Sequence, residues 1–147
     1  MKDPARAYFE FFNEIGIIAQ LTRAIFEARL PDGITQPHFS VLNHLVRVED
    51  GRTPLALARA FQTPKTSMTH TLAGLEERGL VEMRPNPEDG RSKQVWLTQA
   101  GRAFRERAIQ SLAPDVAELA RRISADDVAE MTPRLARIRA VLDAARD

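Results

Sequence analysis

The sequence predicts a mainly α fold with one small β-hairpin, and three observations predict it. Apolar residues recur at spacings of three and four near both ends of the chain, which is the helical period. Thr35, Thr53 and Thr63 each stand one or two residues before a proline, the cap-then-proline start of a helix. Only residues 80–97 read as two short strand-like runs around a turn-rich loop.

The first predicted helix covers about residues 5–30. Tyr8, Phe9, Phe11, Phe12, Ile15, Ile18, Leu21, Ile25 and Phe26 make its apolar stripe too wide for one buried face. Either several sides are buried within the chain, or the extra face is buried in a partner. Pro31-Asp32-Gly33 ends this helix. Thr35 then caps a second one, with Pro37 in its first turn and Phe39, Leu42 and Val46 on its apolar side. After the turn Asp50-Gly51, Thr53-Pro54 opens a short helix to about Phe61. Thr63-Pro64 opens another to Arg78, with Gly79 as its C-terminal cap. Two short helices across a tight turn form a helix-turn-helix candidate.

Residues 80–84 and 94–97 are predicted strands. The loop between them holds two prolines and Asp89-Gly90, giving a hairpin with a long basic tip. Thr98 caps a helix over about 99–122, which Pro114 must kink or divide. Ser124 caps the last helix. Its narrow stripe of Val128, Met131, Leu135, Ile138 and Leu142 suits helix-on-helix packing, and Pro133 is expected to bend it.

Composition narrows the function classes. The chain has 147 residues, 44% hydrophobic and 28% charged, as a globular domain should. No apolar run reaches the ~20 residues of a membrane helix. The N-terminus lacks the pattern of a signal peptide, so a cytoplasmic location is expected. With no cysteine there is no disulfide, thiolate metal site or thiol switch. His38 and His44 are six apart, not a one-face helical ligand spacing, and neither metal nor cofactor is expected. No nucleophile elbow, zinc-protease motif or phosphate loop occurs, so no catalytic residue and no enzyme is predicted. The net charge is only +1, yet residues 51–75 hold Arg52, Arg59 and Lys65 without an acid. Residues 90–105 likewise hold Arg91, Lys93, Arg102 and Arg105 without one. A local basic surface on a neutral chain marks either a polyanion site or a solvated face.

In the predicted helix over 64–78, Met68, Leu72 and Leu75 form a buried face at i, i+4 and i+7. Thr66, Thr69, His70 and Ala73 point the other way and are small or polar, as a helix entering the DNA major groove requires. The order of elements, together with three sequence runs, resembles the MarR family of regulators. The runs are Leu75-Glu76-Glu77-Arg78-Gly79-Leu80-Val81, then Asp89-Gly90-Arg91-Ser92-Lys93, then Leu97-Thr98-Gln99-Ala100-Gly101. Leu57-Ala58 is similar to the start of the family's helix-turn-helix.

The resemblance implies a single domain over 1–147. A winged helix-turn-helix would occupy about 35–98, with dimerisation helices over about 5–30 and 99–145. It implies a homodimer that binds a near-palindromic duplex operator as a repressor and is released by a small aromatic or anionic effector. The DNA-binding residues would be Thr63, Lys65, Thr66, Ser67, Thr69, His70, Arg84, Asp89, Arg91, Ser92 and Lys93. Phe9, Phe12, Val128, Leu135, Ile138 and Leu142 would dimerise. Asp89 is expected to hold the Arg91 guanidinium, an acid–arginine pair typical of the family's wing. His70 departs from the arginine that relatives often carry, and Gly74 has no evident reason to sit mid-helix. A protein-interaction module of the same fold, with weakened DNA binding, is the alternative.

Overall fold

The computed structural model describes residues 3–146. The expected domain over 1–147 therefore includes three positions, 1, 2 and 147, outside the described residues. The chain divides into two compact units, Met1–Ser111 and Leu112–Asp147.

The first unit holds α1 (Pro4–Glu27), α2 (Gln36–Arg47), α3 (Pro54–Ala60), α4 (Lys65–Glu77), β1 (Val81–Pro85), β2 (Lys93–Leu97) and α5 (Gln99–Gln110). Its core is made by Val41, Leu42 and Leu45 of α2, Leu57 of α3, Met68, Leu72 and Leu75 of α4, and Val81, Val95 and Leu97 of the hairpin. Three helix starts are capped as the sequence predicts. Thr53 Oγ1 accepts from Ala56 N at 3.1 Å, and Thr98 Oγ1 accepts from Gly101 N at 3.0 Å. At α2 the cap is a box whose third residue is a histidine: His38 Nδ1 accepts from Thr35 N at 3.0 Å.

The start of α4 differs from expectation. Its N-cap is Pro64, not Thr63, and no side chain caps it. Thr63 is taken by the end of α3: its N–H donates to Ala58 O at 3.0 Å, and Gln62 N donates to Arg59 O at 3.1 Å. This closing turn puts Gln62 at φ 51, the left-handed region usually held by glycine. The other end of α4 closes the same way on Gly79, with Gly79 N donating to Glu76 O and Leu80 N to Leu75 O.

β1 and β2 pair antiparallel, Val81 with Leu97 and Met83 with Val95 on the core face, Glu82 with Trp96 and Arg84 with Gln94 on the outer face. Both strands reach one residue further toward the tip than predicted, because Pro85 and Lys93 still pair; β1 starts one residue later, and β2 ends at Leu97 as predicted. Gly101 lets α5 pass close to the hairpin's root. A Cβ there would collide with the Leu80 carbonyl, which accepts from Thr98 N at 3.2 Å.

The second unit holds α6 (Ala113–Ala120) and α7 (Ala125–Ala144). The helix expected over 99–122 is thus two: α5 stops at Gln110, and Pro114 sits in the first turn of α6. Ser124 caps α7 by accepting from Asp126 N at 3.2 Å, and α7 runs as one helix through Pro133. Among the described residues no helix is long and apolar enough to cross a membrane.

Candidate nucleic-acid interface

Helix α4 is two-sided. Met68, Leu72 and Leu75 are all at most 4% exposed. Thr66, Ser67, Thr69, His70 and Ala73 are exposed, as are Thr63 and Lys65 just before and at the helix start. With no side chain capping the helix, its first amides keep their hydrogens for an outside acceptor. Thr69 Oγ1 already donates to Lys65 O at 2.9 Å, so its hydroxyl is left as an acceptor and its methyl as an apolar contact.

The packing behind α4 explains Gly74. A Cβ at that position would lie 2.9 Å from Nε2 of His38, so the glycine makes room for the ring that completes the α2 cap. Burial, then the charges of Arg78 and His70, push the His38 pKa below its ordinary value. Arg78, in turn, donates from Nη2 to the Asp32 carbonyl.

The hairpin tip spans residues 86–92. Asn86 Nδ2 donates to Ser92 Oγ at 2.9 Å, and Asn86 Oδ1 accepts from Glu88 N at 3.0 Å. Asp89 Oδ1 accepts from the backbone N–H of Arg91 at 2.9 Å. This corrects the expected role of Asp89, which shapes the turn that carries Arg91 and does not grip the guanidinium. Ser92 is also used internally, through Asn86. Arg84 is engaged on the outer face of the hairpin, paired with Glu82 and with its guanidinium 5.1 Å from the Trp96 ring centroid. Arg91 and Lys93 are exposed, and among the described residues neither they nor Lys65 make an ion pair.

The predicted basic stretches are therefore not uniform. Arg52 lies against His44, with Nη1 and Nε2 2.9 Å apart, while Arg102 pairs with Asp50 and Arg105 with Glu106. The cations left open are those at the start of α4 and at the hairpin tip. Asn86 was not singled out by sequence, although an asparagine between two prolines is a turn signal. Among the described residues no three His, Asp or Glu side chains gather as metal ligands.

The predicted dimerisation residues lie elsewhere. Phe9 and Phe12 are exposed on α1, of which only Phe26 is buried. Val128, Leu135 and Leu142 are exposed on α7, and Ile138 is half-buried.

Residues 32–92, which contain both α4 and the hairpin tip, match the MarR family. A mutant MarR from E. coli, solved in complex with operator DNA, is similar at 28% identity and a TM-score of 0.69, covering 93% of this chain and 99% of that one. Over residues 32–92, less than half of its length, the chain is similar to the MarR family. The regulator BldR from Sulfolobus solfataricus shares the fold at 23% identity and a TM-score of 0.77, over 95% of this chain and 99% of that one. So does PcaV from Streptomyces coelicolor, solved with its natural ligand, at 23% identity and a TM-score of 0.66, over 99% of both chains. The fold is accordingly the winged helix of MarR transcriptional regulators, with α3–α4 as helix-turn-helix and β1–β2 as wing.

Proposed function

We propose that this chain is a MarR family regulator, a cytoplasmic repressor that binds a near-palindromic duplex operator as a homodimer. The observation that carries the reading is α4: a fully buried apolar face, an uncapped start and an exposed face of small polar residues. Such a helix fits the major groove with its first amides on phosphate. Thr63, Lys65 and Ser67 serve the backbone, while Thr66, Thr69 and His70 face base edges. Arg91 enters the adjacent minor groove, where narrow tracts concentrate negative potential. Asp89 and Ser92 hold the turn that presents Arg91, Lys93 adds a phosphate contact, and Arg84 acts from its seat on Trp96.

The homodimer is supported by apolar surface that one chain leaves open. Phe9 is 69% exposed on α1, and Leu142 is 54% exposed on α7. Exposed apolar helix faces of this kind mark protein interfaces, and two-fold pairing would present two recognition helices about 34 Å apart. Phe9, Phe12, Val128, Leu135, Ile138 and Leu142 would contribute to that interface. A small aromatic or anionic effector is part of the proposal; PcaV, which shares the fold, was solved with its natural ligand.

A gel-shift titration with the promoter region next to the chain's own coding sequence tests the reading. Retardation of that duplex, reversed by an aromatic acid, is the expected result. No retardation at low salt would favour a protein-interaction module on the same fold.

A further inference from the structure

The turn between α2 and α3 is also the outer edge of the wing. Gly51 N donates to Val95 O at 3.0 Å, and Val95 N donates to Arg52 O at 2.8 Å, so residues 51–52 pair with β2 on the side away from β1. The next amide along that edge is Leu97, and there the backbone partner runs out. The Asp50 carboxylate takes its place: Oδ1 accepts from Leu97 N at 3.0 Å and from Gly51 N at 3.0 Å. Its other oxygen, Oδ2, receives Arg102 Nη2 of α5 at 3.4 Å. The Trp96 ring lies across the same turn, filling the space a Cβ of Gly51 would need, and Gly51 has φ +71.

We infer that Asp50 is a positioning residue for the wing, fixing the root of β2 against the α2–α3 turn and α5 and so setting where the tip presents Arg91. The inference rests on the proposed reading that the wing contacts DNA. The chemistry asks for a carboxylate. One oxygen must accept two amides while the other faces a guanidinium, and only an anion does both. Without it the Leu97 amide loses its acceptor, and on that edge β2 keeps only the backbone pairing of residues 51–52 at Val95, one residue pair from an otherwise two-stranded sheet. Two strands alone are marginal.

The test compares the wild-type chain with Asp50→Ala, Asp50→Asn, Arg91→Ala and the double variant Asp50→Ala/Arg91→Ala. Each is titrated on duplex DNA across a salt series, and amide hydrogen exchange is followed at Val95 and Leu97. Asp50→Ala should bind several-fold more weakly and lower the salt slope toward that of Arg91→Ala. The double variant should bind no worse than Arg91→Ala alone, since both act through one contact. Asp50→Asn keeps the Oδ1 acceptor but turns an amide NH2 toward Arg102, so it should recover the affinity only in part. Leu97 should exchange faster in Asp50→Ala and unchanged in Arg91→Ala. If Asp50→Ala does not melt cooperatively, Asp50→Glu, whose extra methylene displaces the carboxylate, should give the same direction of effect. Unchanged binding by the Asp50 variants, or losses that simply multiply in the double variant, overturns the inference. The two failures are separable. Arg91→Ala binding as wild type overturns the wing reading, whereas a Leu97 amide still protected in Asp50→Ala overturns the inference alone.

Discussion

His38 carries two duties that conflict at low pH. Its Nδ1 accepts the Thr35 amide, and its Nε2 edge lies against Gly74 of the recognition helix. Both suit a neutral ring, and burial with nearby Arg78 and His70 lowers its pKa from the ordinary 6.5. Because the folded value is depressed, the stability it contributes is complete above 6.5 and is lost as pH falls through the folded value. Urea unfolding between about pH 7.5 and about pH 5.5 should show that loss, in the window where histidine titrates. His38→Gln, which keeps an acceptor at the same place in the box, should flatten it. A second expectation concerns Gly74. In the wild type Gly74→Ala should gain nothing despite better helix propensity, because His38 must move. In a His38→Ala background the same change should stabilise by up to about 1 kcal/mol. Gln62 holds a left-handed conformation without being glycine, so Gln62→Gly should raise the urea midpoint, by up to about 1 kcal/mol of stability. Neither feature could be read from sequence. A histidine in a capping box and a glutamine in a glycine position are defined by what packs on them, not by local pattern.

Elements were legible where one local signal decided them. The threonine caps at 35, 53 and 98, the serine cap at 124 and the hairpin all appear within a residue or two of their expected places. Thr63 shows the limit. Its Thr-Pro pair matches the one at Thr53, but α3 has already claimed its amide to close on Ala58 O. The wing tip shows another. The spacing of Asp89 and Arg91 suggests a side-chain pair, whereas the two-residue offset suits an Asx turn onto the backbone amide. The consequences for binding follow from this difference. Arg91→Ala removes an open cation and should weaken binding to specific and scrambled DNA alike, lowering the salt slope by about one per wing. Asp89→Ala keeps the cation but frees its turn, so the salt slope should change less than the affinity does. Substitutions at Thr69 or His70 should leave the slope nearly unchanged and reduce discrimination, by roughly 1–3 kcal/mol at particular base pairs. Competition titrations with specific and scrambled duplexes separate these outcomes.

For the whole molecule, the over-wide stripe of the first helix was the informative signal, and it is exposed in a single chain: Tyr8, Phe9, Ile18 and Leu21 all face out. What the pattern could not supply was the break after Gln110, since Pro114 permits either a kink or a new helix. Burying these faces in a second copy predicts a dimer by sedimentation at micromolar concentration, and Phe9→Glu with Leu135→Glu should shift it toward monomer. A monomer presents one recognition helix, so operator affinity should fall steeply with that change. The central claim is that paired α4 helices read sequence in duplex DNA. It is tested most directly by fluorescence-anisotropy titration of the wild-type chain on the duplex upstream of its own coding sequence and on a scrambled duplex of equal length, at one fixed salt concentration. The account predicts binding to the first tighter by roughly 10³-fold or more, saturating at two protomers per site. Equal affinity for the two duplexes would contradict it.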